Sequence, residues 1–165
     1  KKFAQKAKEL RKYGMRKLYY SNEHGINSRL DEVQAAIINL KFKNLKNWIA
    51  QKRKIAAIYN RLLKDTSLIL PKENINNFHA YYAYVVRHKK REYIMDKLKK
   101  KNIYCNISYP FPIHLMRGYS HLKYKKNDFP VAEKCAKQIF SLPMYPQLKK
   151  KEILKVVKTL KKIGI

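Results

Sequence analysis

The chain has 165 residues, 45% of them hydrophobic, and a formal net charge of +28 from 39 Lys and Arg against 11 Asp and Glu. That apolar content suits one core-forming globular domain and excludes a disordered basic tail. No apolar run nears the roughly 18–20 residues a membrane-spanning helix needs, and no charged-then-apolar leader opens the sequence, so a cytoplasmic location is the expectation.

Residues 1–13, KKFAQKAKELRKY, place Phe3, Ala7 and Leu10 at helical spacing, and Gly14 ends the run. The chain therefore starts inside a helical segment with no initiator Met, which reads as a cut edge. After the Tyr-rich GMRKLYYSNEHG comes the main helical stretch, 28–64. Ser28 is the expected N-cap, with Asp31 three residues on in place of the usual Glu of a capping box. Leu30, Val33, Ile37 and Leu40 follow a 3–4 spacing, continued by Leu45, Trp48 and Ile49 and then by Ile55, Tyr59 and Leu62. No Gly or Pro interrupts 28–64. At about 1.5 Å per residue a continuous helix would run about 55 Å, longer than a small domain. It must lean on something besides its own core, or bend between Leu40 and Trp48, where the spacing slips.

The rest reads as a compact α+β unit. AYYAYVVR (80–87) is a strand by its aromatic and β-branched content. REYIMDKLKKKN (91–102) is a helix with Tyr93, Ile94 and Leu98 on one face. IYCNISY (103–109) is a second strand, stopped by Pro110 and Pro112. Pro130 starts a helix that runs through VAEKCAKQIF to Phe140. SLPMYP is extended, and Ile153, Val156, Val157 and Leu160 mark a closing helix. Two or three short strands alternating with helices imply a small sheet covered on one face.

The charge invites a nucleic-acid reading, but 31 of the 39 basic residues are Lys and they spread along the whole chain. Base-reading proteins lean on Arg for bidentate contacts to guanine, and no zinc-finger spacing or ribonucleoprotein aromatic motif is present. A general lysine bias gives the same pattern. A small basic nucleic-acid-binding or scaffold domain stands as the alternative function. Cys105 and Cys135 are far apart, form no metal-type cluster, and read as buried free thiols.

Two constellations could carry chemistry. Asn27 and Arg29 head the main helix, where free N–H groups and a partial positive charge suit a phosphate. An amide donor and a guanidinium would complete a dianion grip. The plainer alternative has Ser28 capping, Asn27 turning the chain and Arg29 solvated. The second is YPFPIHLMRGY (109–119), a proline-stiffened loop after a strand, holding His114 beside Tyr109 and Arg117. A lone loop histidine is also often inert. There is no Gly-rich phosphate loop, no G-x-S-x-G elbow and no H-E-x-x-H. The residues alone offer half a site and no reaction centre.

Several segments together fit one pattern. GINSRLDEVQAAI, then LKNW and QKRKIAAIYNRLL, then HAYYAYVVR, KKKNIYCNISYPFPIHLMRGY and FPVAEKCAKQIFSLPMYPQL resemble the DegT-type sugar-nucleotide aminotransferases. These are pyridoxal-phosphate enzymes of fold type I. KYGMRKLYY ahead of NSRLDE is most similar to members that aminate the 3-keto position of a thymidine-diphosphate 6-deoxyhexose. The resemblance covers nearly the whole chain and implies the C-terminal part of a longer protein. Residues 1–27 would end the large cofactor domain, 28–64 would be the linking helix, and 65–165 the small α+β domain. It further implies pyridoxal 5'-phosphate as cofactor, glutamate as amino donor and a nucleotide-linked keto-sugar as substrate, in surface-polysaccharide or glycan sugar biosynthesis. Asn27 matches a residue that reaches a partner subunit's cofactor phosphate, and Arg29 matches the arginine beside it, near cofactor or substrate phosphates. His114, with Tyr109, matches a loop placed near the nucleotide-sugar. The partner would be a second copy or a missing N-terminal half. The family's Schiff-base lysine motif has no counterpart in this sequence, so the chain alone is expected to be inactive.

Overall fold

The computed structural model describes all 165 residues, which divide into two compact units, Lys1–Leu45 and Lys46–Ile165.

In the first unit, α1 (Lys2–Leu10) leads into an antiparallel hairpin of β1 (Met15–Lys17) and β2 (Tyr20–Ser21). The chain then doubles back along residues 10–13. Ile26 N–H donates to Leu10 O at 2.8 Å, Tyr13 N–H to Ile26 O at 3.1 Å, and Ser28 N–H to Arg11 O at 2.9 Å. The approach is so close that only glycine fits twice. A Cβ on Gly14 (φ +72°) would lie 1.9 Å from Glu23 O, and one on Gly25 would lie 2.1 Å from Gly14 N.

α2 (Glu32–Phe42) begins later than the sequence suggested, with Asp31 rather than Ser28 as its N-cap. Ser28 is taken up by its backbone bond to Arg11, and Asp31 is the residue with extended backbone at the helix mouth (φ −70°, ψ 152°). Its N–H donates to Gln34 Oε1 at 3.4 Å, so Gln34 supplies the returning side chain of the capping box. The helix stops at Phe42, Lys43 and Asn44 form a turn closed by Asn44 N–H to Lys41 O at 3.0 Å, and α3 (Leu45–Leu63) follows. The 28–64 stretch is thus broken in the interval where its apolar spacing slips, without a Gly or Pro.

The second unit packs α3, α4 (Arg91–Lys99), α5 (Pro130–Gln138) and α6 (Lys150–Lys162) with an antiparallel pair, β3 (Tyr84–Arg87) and β4 (Ile139–Leu142). Tyr84 opposes Leu142 and Val86 opposes Phe140, and these four are the buried positions of the two strands. Alternation therefore leaves one face covered, as a period of two requires. Tyr59 and Leu63 of α3, Ile94 and Leu98 of α4, and Ile153, Val156 and Leu160 of α6 complete the core.

Two strand readings shrink. The segment 80–87 pairs only from Tyr84, because Tyr81 turns at φ +47°. The segment 103–109 buries Ile103 and partly buries Cys105 and Ile107, which gives it strand-like alternation. It pairs with β4 only through the isolated bridge of Asn106 to Ser141. The helix from Pro130 ends at Gln138 rather than Phe140, since Ile139 turns extended (ψ 139°) and begins β4. No helix is long and apolar enough to cross a membrane.

Candidate functional site

The prolines at 110 and 112 prevent the segment after Asn106 from continuing as a ladder strand. Pro112 (φ −64°, ψ 134°) directs the chain into a 3-10 turn, Ile113–Leu115, and a second turn covers Arg117–Leu122. This loop folds over α5, whose first helical position is Pro130. Between them lies a cavity of about 500 Å³ whose walls include Tyr109, Phe111, His114, Tyr124, Phe129 and Cys135. Both loop residues singled out from the sequence, Tyr109 and His114, line it. Arg117 does not, and is exposed.

His114 is held from two sides. Its ring packs against Phe129 with centroids 4.8 Å apart, and Phe129 in turn meets Tyr124 edge-on at 5.0 Å. Its Nε2 lies 3.1 Å from Glu133 Oε1, and both side chains are under 10% exposed. The same Glu133 oxygen accepts the N–H of Asn127 at 2.6 Å. Asn127 sits in the left-handed region (φ +79°), a conformation Asn tolerates better than most residues. Burial pushes the Glu133 carboxyl up, but the Asn127 N–H and the His114 ring more than offset this, leaving it below the usual carboxylate range. Glu133 was not singled out by motif. The available signal was scarcity: it is one of only 11 acids, and it sits one turn into a helix whose flanks are apolar.

Asn27 and Arg29 lie in the first unit. Asn27 is fixed by the backbone bridge to Lys12 and its side chain is exposed. Arg29 is 53% exposed and pairs with Asp31 at 3.1 Å. With Asp31 as N-cap, the helix mouth carries a carboxylate, and the cation-rich dianion grip expected there is half-neutralised by its own chain. Six of the lysines line a groove of about 660 Å³ between α4 and α6. There Lys97 and Lys101 face Lys151, Lys155, Lys158 and Lys162, and no acid lines it.

Small antiparallel sheets flanked by helices, in an α+β arrangement, match the domain architecture of fold type I aminotransferases of the pyridoxal-phosphate class. Residues 1–161 match the DegT/DnrJ/EryC1/StrS aminotransferase family, and the chain belongs to that family. It is 44% identical over 151 residues to the dTDP-3-amino-3,4,6-trideoxy-alpha-D-glucose transaminase of Micromonospora megalomicea subsp. nigra, covering 88% of this chain and 40% of that one. It is 41% identical over 152 residues to a pleiotropic regulatory protein of Geobacillus stearothermophilus, covering 90% and 41%. The crystal structure of S. venezuelae DesV in complex with a ketimine intermediate superposes with a TM-score of 0.87 at 30% identity, over 98% of this chain and 44% of DesV. The chain therefore spans about two fifths of the length of the curated relatives it matches.

Proposed function

We propose that these residues act as the C-terminal part of a pyridoxal-phosphate-dependent aminotransferase that moves an amino group from glutamate to a nucleotide-linked keto-6-deoxysugar. The single observation that carries this reading is the match of nearly the whole chain to DesV, in sequence and in backbone together. The transaminase name of the Micromonospora relative supports the sugar-nucleotide class. In this reading 1–27 closes the cofactor domain, 28–64 links, and 65–165 is the small domain that covers the substrate.

Asn27 and Arg29 would hold the cofactor phosphate of a partner, which is either a second copy or a separate N-terminal half. The donor set fits: an amide and a guanidinium are what a phosphate takes. The Arg29–Asp31 pair does not block this. It is more than half exposed on both sides, and such pairs contribute only about 0–1 kcal/mol, so a dianion can exchange for Asp31. When bound, the cofactor supplies the electron sink. His114 and Tyr109 would meet the nucleotide-sugar, with the aromatic walls of the cavity excluding water. No lysine of this chain takes the Schiff-base role, which falls to the N-terminal part of the enzyme.

The test mixes the chain with pyridoxal 5'-phosphate, glutamate and a thymidine-diphosphate 3-keto-6-deoxyhexose. No amino-sugar should form. Fused to the N-terminal part of DesV, the chain should regain turnover, and Asn27→Ala in the fusion should weaken cofactor retention. Turnover by the chain alone, or none from a folded fusion, refutes the reading. The lysine groove favours polyanion binding as a second reading. Its signature is affinity for single-stranded oligonucleotides that falls steeply with salt.

A further inference from the structure

We infer that Glu133 is a positioning residue: it fixes which nitrogen of His114 faces the cavity. An ionised carboxylate accepts hydrogen bonds and cannot donate. The Glu133 carboxyl is held below the usual carboxylate range, so near neutral pH it is ionised. Its 3.1 Å contact with Nε2 therefore requires the ring proton on Nε2, and neutral His114 presents Nδ1 as a bare acceptor.

The surroundings leave the ring little choice. No buried side-chain nitrogen or oxygen lacks a partner, and Nδ1 of His114 makes no bond to the protein. Nδ1 must then reach open space, and the space His114 borders is the aromatic cavity. Phe129 blocks ring tilt on one side at 4.8 Å. Glu133 is itself anchored, on α5 and by the N–H of Asn127 at 2.6 Å. A group clamped by helix, turn and ring sets orientation better than one on a free loop.

The placement also explains why an acid is buried here. A carboxylate 7% exposed is costly unless its lone pairs are used. Asn127 and His114 both bond its Oε1, and the return is a fixed imidazole at the cavity wall. This deepens the proposed contact of His114 with the nucleotide-sugar and rests on it only for the consequence, not for the geometry.

The experiment uses the full chain with 15N-labelled histidine and two variants. Glu133→Leu keeps the volume and removes the acceptor, while Glu133→Gln keeps an acceptor oxygen for both Asn127 and His114. Imidazole nitrogen shifts near pH 7.5 should show the Nε2–H form in the native chain and in Glu133→Gln. Glu133→Leu should show a mixture of both tautomers with native-like circular dichroism. Titrated with thymidine-diphosphate glucose, Glu133→Leu should bind at least about ten-fold more weakly and Glu133→Gln within about three-fold of native. A single unchanged tautomer in Glu133→Leu overturns the positioning role. If the tautomer shifts as stated but native chain and His114→Ala bind the probe equally, or neither binds, the substrate contact fails and the role of Glu133 stands.

Discussion

Seven of the eleven residues of α2 are apolar (EVQAAIINLKF), yet none is buried. Val33 is 73% exposed, Ile37 49%, Ile38 51%, Leu40 63% and Phe42 69%. A helix apolar on all sides belongs inside a larger body, so this one should recruit a cover. Covering the exposed part of each of these side chains contributes about 1–2 kcal/mol. In a two-fold dimer both copies contribute, giving about 10–20 kcal/mol gross. Lost translational and rotational freedom opposes this with about 4–15 kcal/mol. The net of several kcal/mol corresponds to self-association between about micromolar and millimolar. Val33→Lys with Ile37→Lys, one turn apart, removes about 2–4 kcal/mol per copy and should raise the dissociation constant by more than about 10³. Because neither side chain is buried, the thermal transition of the doubly substituted chain should match that of dilute, monomeric native chain. Sedimentation velocity from about 10 to 200 µM reads the effect. A native chain that stays monomeric throughout, or a double variant that associates equally well, refutes the reasoning.

Four further outcomes concern the second unit. Phe140→Ala in β4 should cost about 3–5 kcal/mol in denaturant melts, since that ring is 1% exposed. Tyr59→Phe, which loses only the hydroxyl donated to Pro143 O at 3.1 Å, should cost about 1 kcal/mol. Stability should fall on acidification. Glu133, Glu73 and Asp96 titrate below their ordinary values when folded, so they stabilise above about pH 4 and lose that effect as pH drops through the depressed values. His88, lowered by burial and then by Lys90, adds loss of the same sign just below its unfolded value of about 6.5. A melting temperature flat from pH 7 to 3 would contradict this. Burial pushes the Cys105 thiol up to about 12, leaving only about 10⁻⁴ as thiolate at pH 8. Disulfide reagents should therefore label it only after unfolding, and rapid labelling of Cys105 in a native Cys135→Ser chain would refute its burial.

Much of the fold was legible because its helices announce themselves by spacing. α4, α5 and α6 fall where apolar periodicity and Pro130 put them, within a few residues. Two of the misplaced features share a cause: a partner distant in sequence. Ser28 looks like a cap until Arg11 claims its N–H, and that bond spans 17 residues. The 103–109 run alternates like a strand because it lies against the core, but local pattern cannot show that only Asn106 finds a ladder partner. The same holds for the site. Tyr109 and His114 were marked by their proline-stiffened loop, whereas Glu133 is defined by what folds over it.

The two features that look least finished in the first unit have one explanation under the proposed reading. Asn27 and Arg29 offer phosphate donors to open space just before the mouth of α2, and α2 then carries an uncovered apolar surface for three turns. An exposed guanidinium alone would be ordinary solvation, and an exposed apolar helix alone would be a solubility hazard. Placed end to end on one segment, they describe a surface meant to lie against another polypeptide that brings a phosphate to its edge. The apolar stretch supplies the adhesion, and the polar pair sets the register at which it docks. Removing Asn27 and Arg29 should then leave self-association through α2 intact while abolishing any contribution to a partner's cofactor site. The double lysine substitution on α2 should abolish both.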